Sequence, residues 1–319
     1  METTLLGRTG VTVSRLCFGT MSFGREADEA ESGRLYAACR DAGIDFFDCA
    51  NVYSAGRAEE ILGRLMAHER DALVITSKVG MGPEGNGRGL SRRTIAASVE
   101  ASLRRLGTDR VDVLFLHRFD EATPIEDTLR GLEDLVRAGK VLYLGASNWA
   151  AWQVATALGI SARQGWTRFD LLQPMYNLVK RQAEVEILPL ALAEGLAVTP
   201  YSPVGGGLLS GKYRGADAAG RIRSDASYAK RYGPDWMADT AAAFADLAEA
   251  RGWHPVSLAV AWVAGHAAIT APIIGARDVA QLGPSLKALD RPLDPAMRDE
   301  ISALSRRPAP ATDRLEEQG

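Results

Sequence analysis

Short apolar runs alternate along this chain with longer segments whose apolar positions recur every three to four residues. The runs predict strands at 16–19, 44–48, 73–78, 111–117, 141–147, 171–175, 196–202 and 272–275. Helical periodicity predicts helices near 28–42, 57–68, 91–106, 125–138, 149–162, 181–193, 238–251, 256–265 and 278–289. Ser91 stands where a cap is needed, Pro124 and Pro255 suit a first helical turn, and Gly43, Gly107, Gly139 and Gly195 fall where helices should stop. Ahead of all this, two short segments around Gly7-Arg8-Thr9-Gly10 predict a β-hairpin within residues 3–15.

Strands separated by helices pair in parallel through right-handed crossovers, and eight is the number that closes a (β/α)8 TIM barrel. The expected fold is therefore α/β, a barrel whose base is closed by the N-terminal β-hairpin; a doubly wound open sheet is the competing architecture. Two stretches break the rhythm of short connections. Residues 80–89 hold five glycines and a proline, and 203–235 is Gly-rich and then rich in Arg and Tyr. Both follow strand C-termini, so they are expected as long loops over the C-terminal face, where barrel active sites lie. No shift in composition divides the chain, so residues 1–319 are expected to form one domain, with 308–319 as a loosely held tail.

Composition narrows the function classes. Apolar residues make up 46% and charged residues 24%, as in a globular protein with a large core. A formal charge of −3 gives no reason to expect nucleic acid or an anionic membrane as partner. The three cysteines, Cys17, Cys39 and Cys49, have neither disulfide nor metal-site spacing, so no metal is expected. No stretch has the length of a membrane span and the N-terminus does not read as a signal peptide, so a cytoplasmic location is expected.

The candidate chemistry sits at strand ends. Asp48 and Lys78 close two predicted strands, His117 closes a third, and a short turn after Asp48 delivers Tyr53. Tyrosine is a poor acid at its ordinary pKa near 10, but a nearby ammonium favours its phenolate, and a carboxylate can hold that ammonium in place. Tyr53 as general acid, Lys78 as its electrostatic tuner, Asp48 as the lysine's partner and His117 at the substrate oxygen suit carbonyl reduction. Each residue alone reads as a cap or a structural ion pair; it is their shared position that points to chemistry. A Schiff-base role for Lys78 is the weaker alternative.

The run Asp48-Cys49-Ala50-Asn51-Val52-Tyr53, the Gly56…Glu59…Leu62-Gly63 segment, Ser77-Lys78 and Leu116-His117-Arg118 resemble the signatures of the aldo-keto reductase superfamily. The likeness continues through 103–112, 139–148, Gln173-Pro174-Met175-Tyr176-Asn177-Leu178, Tyr201-Ser202-Pro203 and 272–277. The resemblance implies that Asp48, Tyr53, Lys78 and His117 form a catalytic tetrad serving a nicotinamide dinucleotide, NADPH rather than NADH because Arg277 can pair with a 2′-phosphate. It implies Ser147, Asn148 and Gln173 at the carboxamide and Tyr201 against the nicotinamide ring. Gly19, Thr20 and Met21 would lie near the ribose and substrate, Ser202, Pro203, Leu208 and Lys212 near the pyrophosphate, and Gly275, Arg277 and Gln281 near the adenosine phosphate. Pocket walls are expected from Met21, Phe23, Arg118, Trp149 and 203–235, around a small-molecule carbonyl substrate. Related barrels also act as cofactor-binding regulatory subunits with little turnover, which is the alternative function.

The chain departs from the family pattern at Cys49, Ala58 and Ser285. A further match, Gly80-Met81-Gly82-Pro83-Glu84-Gly85, has the glycine spacing of a dinucleotide fingerprint but does not open directly into a helix, so it is read as an active-site loop.

Overall fold

The computed structural model describes residues 1–82, 88–214, 220–314 and 316. The fingerprint-like glycine motif, the middle of the 203–235 stretch and the end of the expected tail therefore fall partly outside the described residues. A two-stranded antiparallel hairpin, β1 (Thr3–Leu5) and β2 (Thr12–Ser14), opens the chain. Eight parallel strands follow: β3 (Cys17–Gly19), β4 (Phe46–Asp48), β5 (Val74–Val79), β6 (Val111–Leu116), β7 (Val141–Ser147), β8 (Phe169–Gln173), β9 (Ala197–Val198) and β10 (Ile273–Ile274). Their order in the sheet is β10-β3-β4-β5-β6-β7-β8-β9. Backbone bonds from Thr270 to Val198 and from Ile273 to Pro200, each 2.9 Å, link the two ends of that ladder. The architecture is thus the expected TIM-barrel-like fold.

The helices along the strands are α1 (Glu29–Asp41), α2 (Arg57–Met66), α3 (Arg92–Leu106), α4 (Ile125–Arg137), α5 (Ala151–Gln164) and α6 (Ile187–Glu194). Beyond β9 come α7 (Arg221–Ser224), α8 (Ala226–Tyr232), α9 (Asp235–Ala250) and α10 (Pro255–Ala264), and α11 (Val279–Leu286) and α12 (Pro295–Ala303) follow β10. Ser91 caps α3 by accepting from the Thr94 N–H, and Pro255 occupies the first turn of α10, as their sequence positions predicted. Two expectations need correcting. The 203–235 stretch is not one irregular loop but carries α7 and α8, and α12 lies where no helix was expected.

Strand parity explains what the barrel does with its side chains. Phe46, Val113, Phe115 and Leu171 pack with Leu6 and Val13 of the hairpin region in one buried cluster, while Leu114, Leu116, Ile75 and Leu172 face the surrounding helices in the other. Side chains two residues apart on a strand share a face. Asp48 therefore follows Phe46 into the interior, His117 follows Val113 and Phe115, and Gln173 follows Leu171. The hairpin end is sealed closely: a Cβ at Gly7 would lie 2.8 Å from the Ala197 nitrogen, and Gly7 has φ of +58°. That leaves the opposite, C-terminal end of the strands for the site.

Candidate active site

A cavity of about 1170 Å³ opens at the C-terminal ends of the strands. At its floor the fully buried Lys78 makes an ion pair with Asp48 on the neighbouring strand. The same ammonium donates to the Cys49 carbonyl at 2.8 Å and to the Tyr53 hydroxyl at 3.1 Å. Asp48 is further held by the Thr76 hydroxyl at 2.7 Å and the Gln173 amide at 2.9 Å. Thr20 donates to the Asp48 carbonyl oxygen at 3.0 Å, so this backbone is fixed from both sides. Tyr53 and His117 rings meet edge to face, with centroids 6.1 Å apart.

The turn that delivers Tyr53 is strained. Ser54, Ala55 and Gly56 all have positive φ, at +50°, +55° and +96°. Such a conformation costs a non-glycine residue about 1–2 kcal/mol and persists only where the surroundings enforce it. Ser54 does so by donating to the Phe23 carbonyl at 2.7 Å. At Gly56 a Cβ would fall 2.8 Å from the Arg105 side chain, which must pass there to reach Glu59. Glu59, fully buried, accepts from Arg105 at 2.7 Å and from Ser77 at 2.5 Å, tying α2 and α3 to the residue beside Lys78.

Electrostatics set the protonation states. Burial opposes the Lys78 charge, but Asp48 and Tyr53 outweigh it and raise its pKa above the ordinary ammonium value. Burial pushes the Tyr53 phenol up to about 12, because the Lys78 charge offsets only part of the desolvation. This reverses the expected net direction: the ammonium pulls as anticipated, but the low-polarity surroundings win. Burial, with Lys78 adding to it, lowers His117 to about 3, so its imidazole is neutral near pH 7. Its Nδ1 is buried without a hydrogen-bond partner.

One wall is a polar chain. Tyr201 donates to Asn148 at 2.6 Å, Asn148 donates to the His117 carbonyl at 2.9 Å and to Ser147 at 3.0 Å, and Ser147 donates to the Gln173 carbonyl at 2.9 Å. Asn148 and Ser202 hold left-handed backbone, φ +58° and +59°. Further out, Gly205, Gly206 and Gly207 also have positive φ, and Lys212 folds back over Gly207. At the far end Gln281 accepts from the Arg277 N–H at 2.8 Å, above the start of α11.

Most residues singled out from the sequence line this cavity: Gly19, Met21, Asp48, Tyr53, His117, Arg118, Ser147, Asn148, Gln173, Tyr201, Ser202, Pro203, Lys212, Gly275, Arg277 and Gln281. Lys78 lies behind them, reaching the cavity only through Tyr53. Four others lie elsewhere. Thr20 is buried with its hydroxyl turned to Asp48, and Leu208 is buried in the core. Phe23 packs on Phe18, and Trp149 packs between Phe119 and Phe169. Sequence reasoning missed Arg25, Glu26 and Phe119 on the cavity wall, and the wall it expected from 203–235 includes, on α8, Tyr228 and Arg231. The signal for the last two was present, since Asp225 begins a stretch free of Gly and Pro, and its side chain caps α8.

Of the departures from pattern, Cys49 is a small buried residue whose thiol burial pushes up to about 12. Ala58 goes with an α2 whose N-cap, Gly56, supplies no side-chain bond. Ser285 lines the cavity.

Comparison with known proteins agrees with this geometry. The sequence model of the Aldo/keto reductase family matches residues 15–306. The chain is 38% identical over 308 residues to the uncharacterized oxidoreductase YrpG of Bacillus subtilis, covering 92% of this chain and 93% of that one. It is 37% identical to a probable voltage-gated potassium channel subunit beta of Oryza sativa, covering 94% and 95%. It is 38% identical to versiconal hemiacetal acetate reductase of Aspergillus parasiticus, covering 66% and 69%. Among the described residues no helix is long and apolar enough to cross a membrane. Barrel and family match converge: the chain belongs to the aldo/keto reductase family and is an oxidoreductase, of a family whose members reduce carbonyl groups with NAD(P)H.

Proposed function

We propose that this protein reduces an aldehyde or ketone to the alcohol with NADPH, Tyr53 delivering the proton to the carbonyl oxygen. The observation that carries this reading is the meeting of Asp48 and the Tyr53 hydroxyl on the Lys78 ammonium, with His117 against the same tyrosine ring.

The cavity suits such a cofactor. The left-handed glycines beside Lys212 and the Arg277 guanidinium, which has no ion pair among the described residues, are features an anionic dinucleotide would use. Ser147, Asn148 and Gln173 offer amide and hydroxyl groups for the carboxamide, and Tyr201 a flat ring. Gly19, Ser202, Pro203, Gly275 and Gln281 would flank the rest. When bound, the dinucleotide supplies the hydride that the carbonyl carbon accepts.

The chain's own residues manage the proton. With its phenol pushed up to about 12, Tyr53 remains protonated at neutral pH, which is the form a reductase needs. As negative charge grows on the carbonyl oxygen, the phenol proton moves to it and the Lys78 ammonium stabilises the phenolate left behind. Asp48 keeps that ammonium in position. Neutral His117 can donate to the same oxygen and orient it. Proton transfer of this kind contributes roughly 10²–10⁴-fold. Lys78 is poorly suited to Schiff-base chemistry, because Asp48 and Tyr53 keep it charged.

Arg277 favours NADPH, with NADH as the alternative, since a guanidinium can grip a 2′-phosphate by two hydrogen bonds. We also read residues 1–319 as one domain working in the cytoplasm. Fluorescence titration with NADPH and NADH, followed by oxidation rates over a panel of aldehydes and ketones, tests this. Tight NADPH binding with turnover supports the reductase, and failure to bind either dinucleotide refutes it. The similarity to the rice channel subunit over 94% of the chain favours a second reading, a cofactor-binding regulatory or redox-sensing subunit. Tight binding with no turnover on any carbonyl would select it.

A further inference from the structure

Two cations at the outer part of the cavity, Lys212 and Arg277, are those the proposed cofactor's phosphates would take. Two more guanidiniums line the same cavity. Arg118 directly follows His117, is exposed, and makes no ion pair among the described residues. Asp120, nearby, accepts from Thr123 at 2.6 Å and the Leu90 N–H at 2.8 Å; burial raises its carboxyl, but these bonds and the Arg118 charge, acting without a salt bridge, hold it low. Arg231, on α8, lies 5.2 Å over the Tyr228 ring and close enough to Tyr201 to favour its phenolate; it too lacks a carboxylate partner among the described residues.

The remaining charges on the wall are accounted for. Arg221 binds Glu26 at 2.7 Å, and Arg25 stands 3.9 Å from the same carboxylate. Asp48 is paired with Lys78, and Asp225 accepts the Ser227 and Tyr228 N–H groups. Glu121 alone among the lining carboxylates has no partner among the described residues. Arg118 and Arg231 thus offer two guanidiniums without a salt bridge on the cavity wall, in a chain whose formal charge is −3. Unpaired guanidiniums in a concave site concentrate and orient anions.

Resting on the reductase reading, we propose that the carbonyl substrate carries a carboxylate, selected by Arg118 and Arg231. The test compares 4-carboxybenzaldehyde with methyl 4-formylbenzoate, which share the ring and the reacting carbonyl, as substrates for the full chain with NADPH. Wild type should show kcat/KM about 10-fold or more in favour of the carboxylate, equivalent to about 1.4 kcal/mol. Arg118→Gln and Arg231→Gln should each bring that ratio towards one through KM, Arg118→Lys should keep part of it, and added salt should shrink it in wild type. Turnover of both aldehydes with no carboxylate preference, or a ratio the variants leave unchanged, overturns the inference while the reductase reading stands. Turnover of neither aldehyde, nor of any neutral carbonyl, overturns that reading as well.

Discussion

Lys78 and Asp48 sit on adjacent parallel strands, and their ion pair is almost wholly removed from solvent, with side-chain exposures of 0% and 3%. Burying such a pair is tolerable only while both charges are present. Asp48→Asn should therefore cost about 3–5 kcal/mol of stability, because the ammonium is left uncompensated. Lys78→Met should cost a similar amount, and the double variant Asp48→Asn/Lys78→Met less than the sum of the two. Urea denaturation of the three variants checks this; strictly additive losses would mean the pair is not coupled.

His117 gives a signature in the pH dependence of stability. Its folded pKa, about 3, lies below the ordinary imidazole value, so between them the unfolded chain holds more protons than the native one. Stability contributed by this group is present above about pH 6.5 and is lost as pH falls towards 3, at about 1.4 kcal/mol per pH unit. His117→Gln should flatten the stability profile across that window. A profile unchanged by the substitution would show that the ring is not held neutral.

Helices α2 and α3 touch at Gly63, where a Cβ would lie 2.5 Å from the Leu106 carbonyl oxygen and 2.9 Å from that of Arg105. Backbone atoms cannot turn aside as a side chain can. Gly63→Ala should therefore destabilise by about 1–3 kcal/mol, the usual cost of overpacking, and push apart the helices that hold Glu59 against Ser77. A thermal midpoint equal to wild type would contradict this contact.

The thiols should be inert in the native state. Burial pushes Cys49 up to about 12 and raises Cys17 and Cys39 as well, and all three are buried. Thiolate is the reactive form. An aromatic disulfide reagent should label none of them until denaturant is added, and rapid labelling of Cys49 would reveal an opening beside Lys78.

The inward set was legible because strand parity is a strict rule. Once Phe46, Val113 and Leu171 are read as interior, Asp48, His117 and Gln173 must follow, and the ends of the strands place them together. What parity cannot give is the direction of a residue just past a strand. Thr20 and Met21 are neighbours, yet only Met21 reaches the cavity, because Thr20 bonds the Asp48 carbonyl. Trp149 likewise turns away to two aromatic partners, both distant in sequence. The glycines of 203–211 hid the helices that follow, so the 203–235 wall was expected as loop although Asp225 marked the start of the helix that carries Tyr228 and Arg231. The Tyr53 pKa was misjudged for a similar reason: charge partners can be read from the chain, whereas desolvation depends on everything packed around the ring.

Tyr53→Phe is the most direct test of the catalytic role of Tyr53, since it removes the phenol proton and leaves the ring that packs beside His117. Fluorescence titration should give NADPH affinity close to wild type, while carbonyl-dependent NADPH oxidation should fall by roughly 10²–10⁴-fold or more. Turnover retained at the wild-type rate would show that the proton comes from another group, and would contradict proton delivery by the Asp48–Lys78–Tyr53 unit.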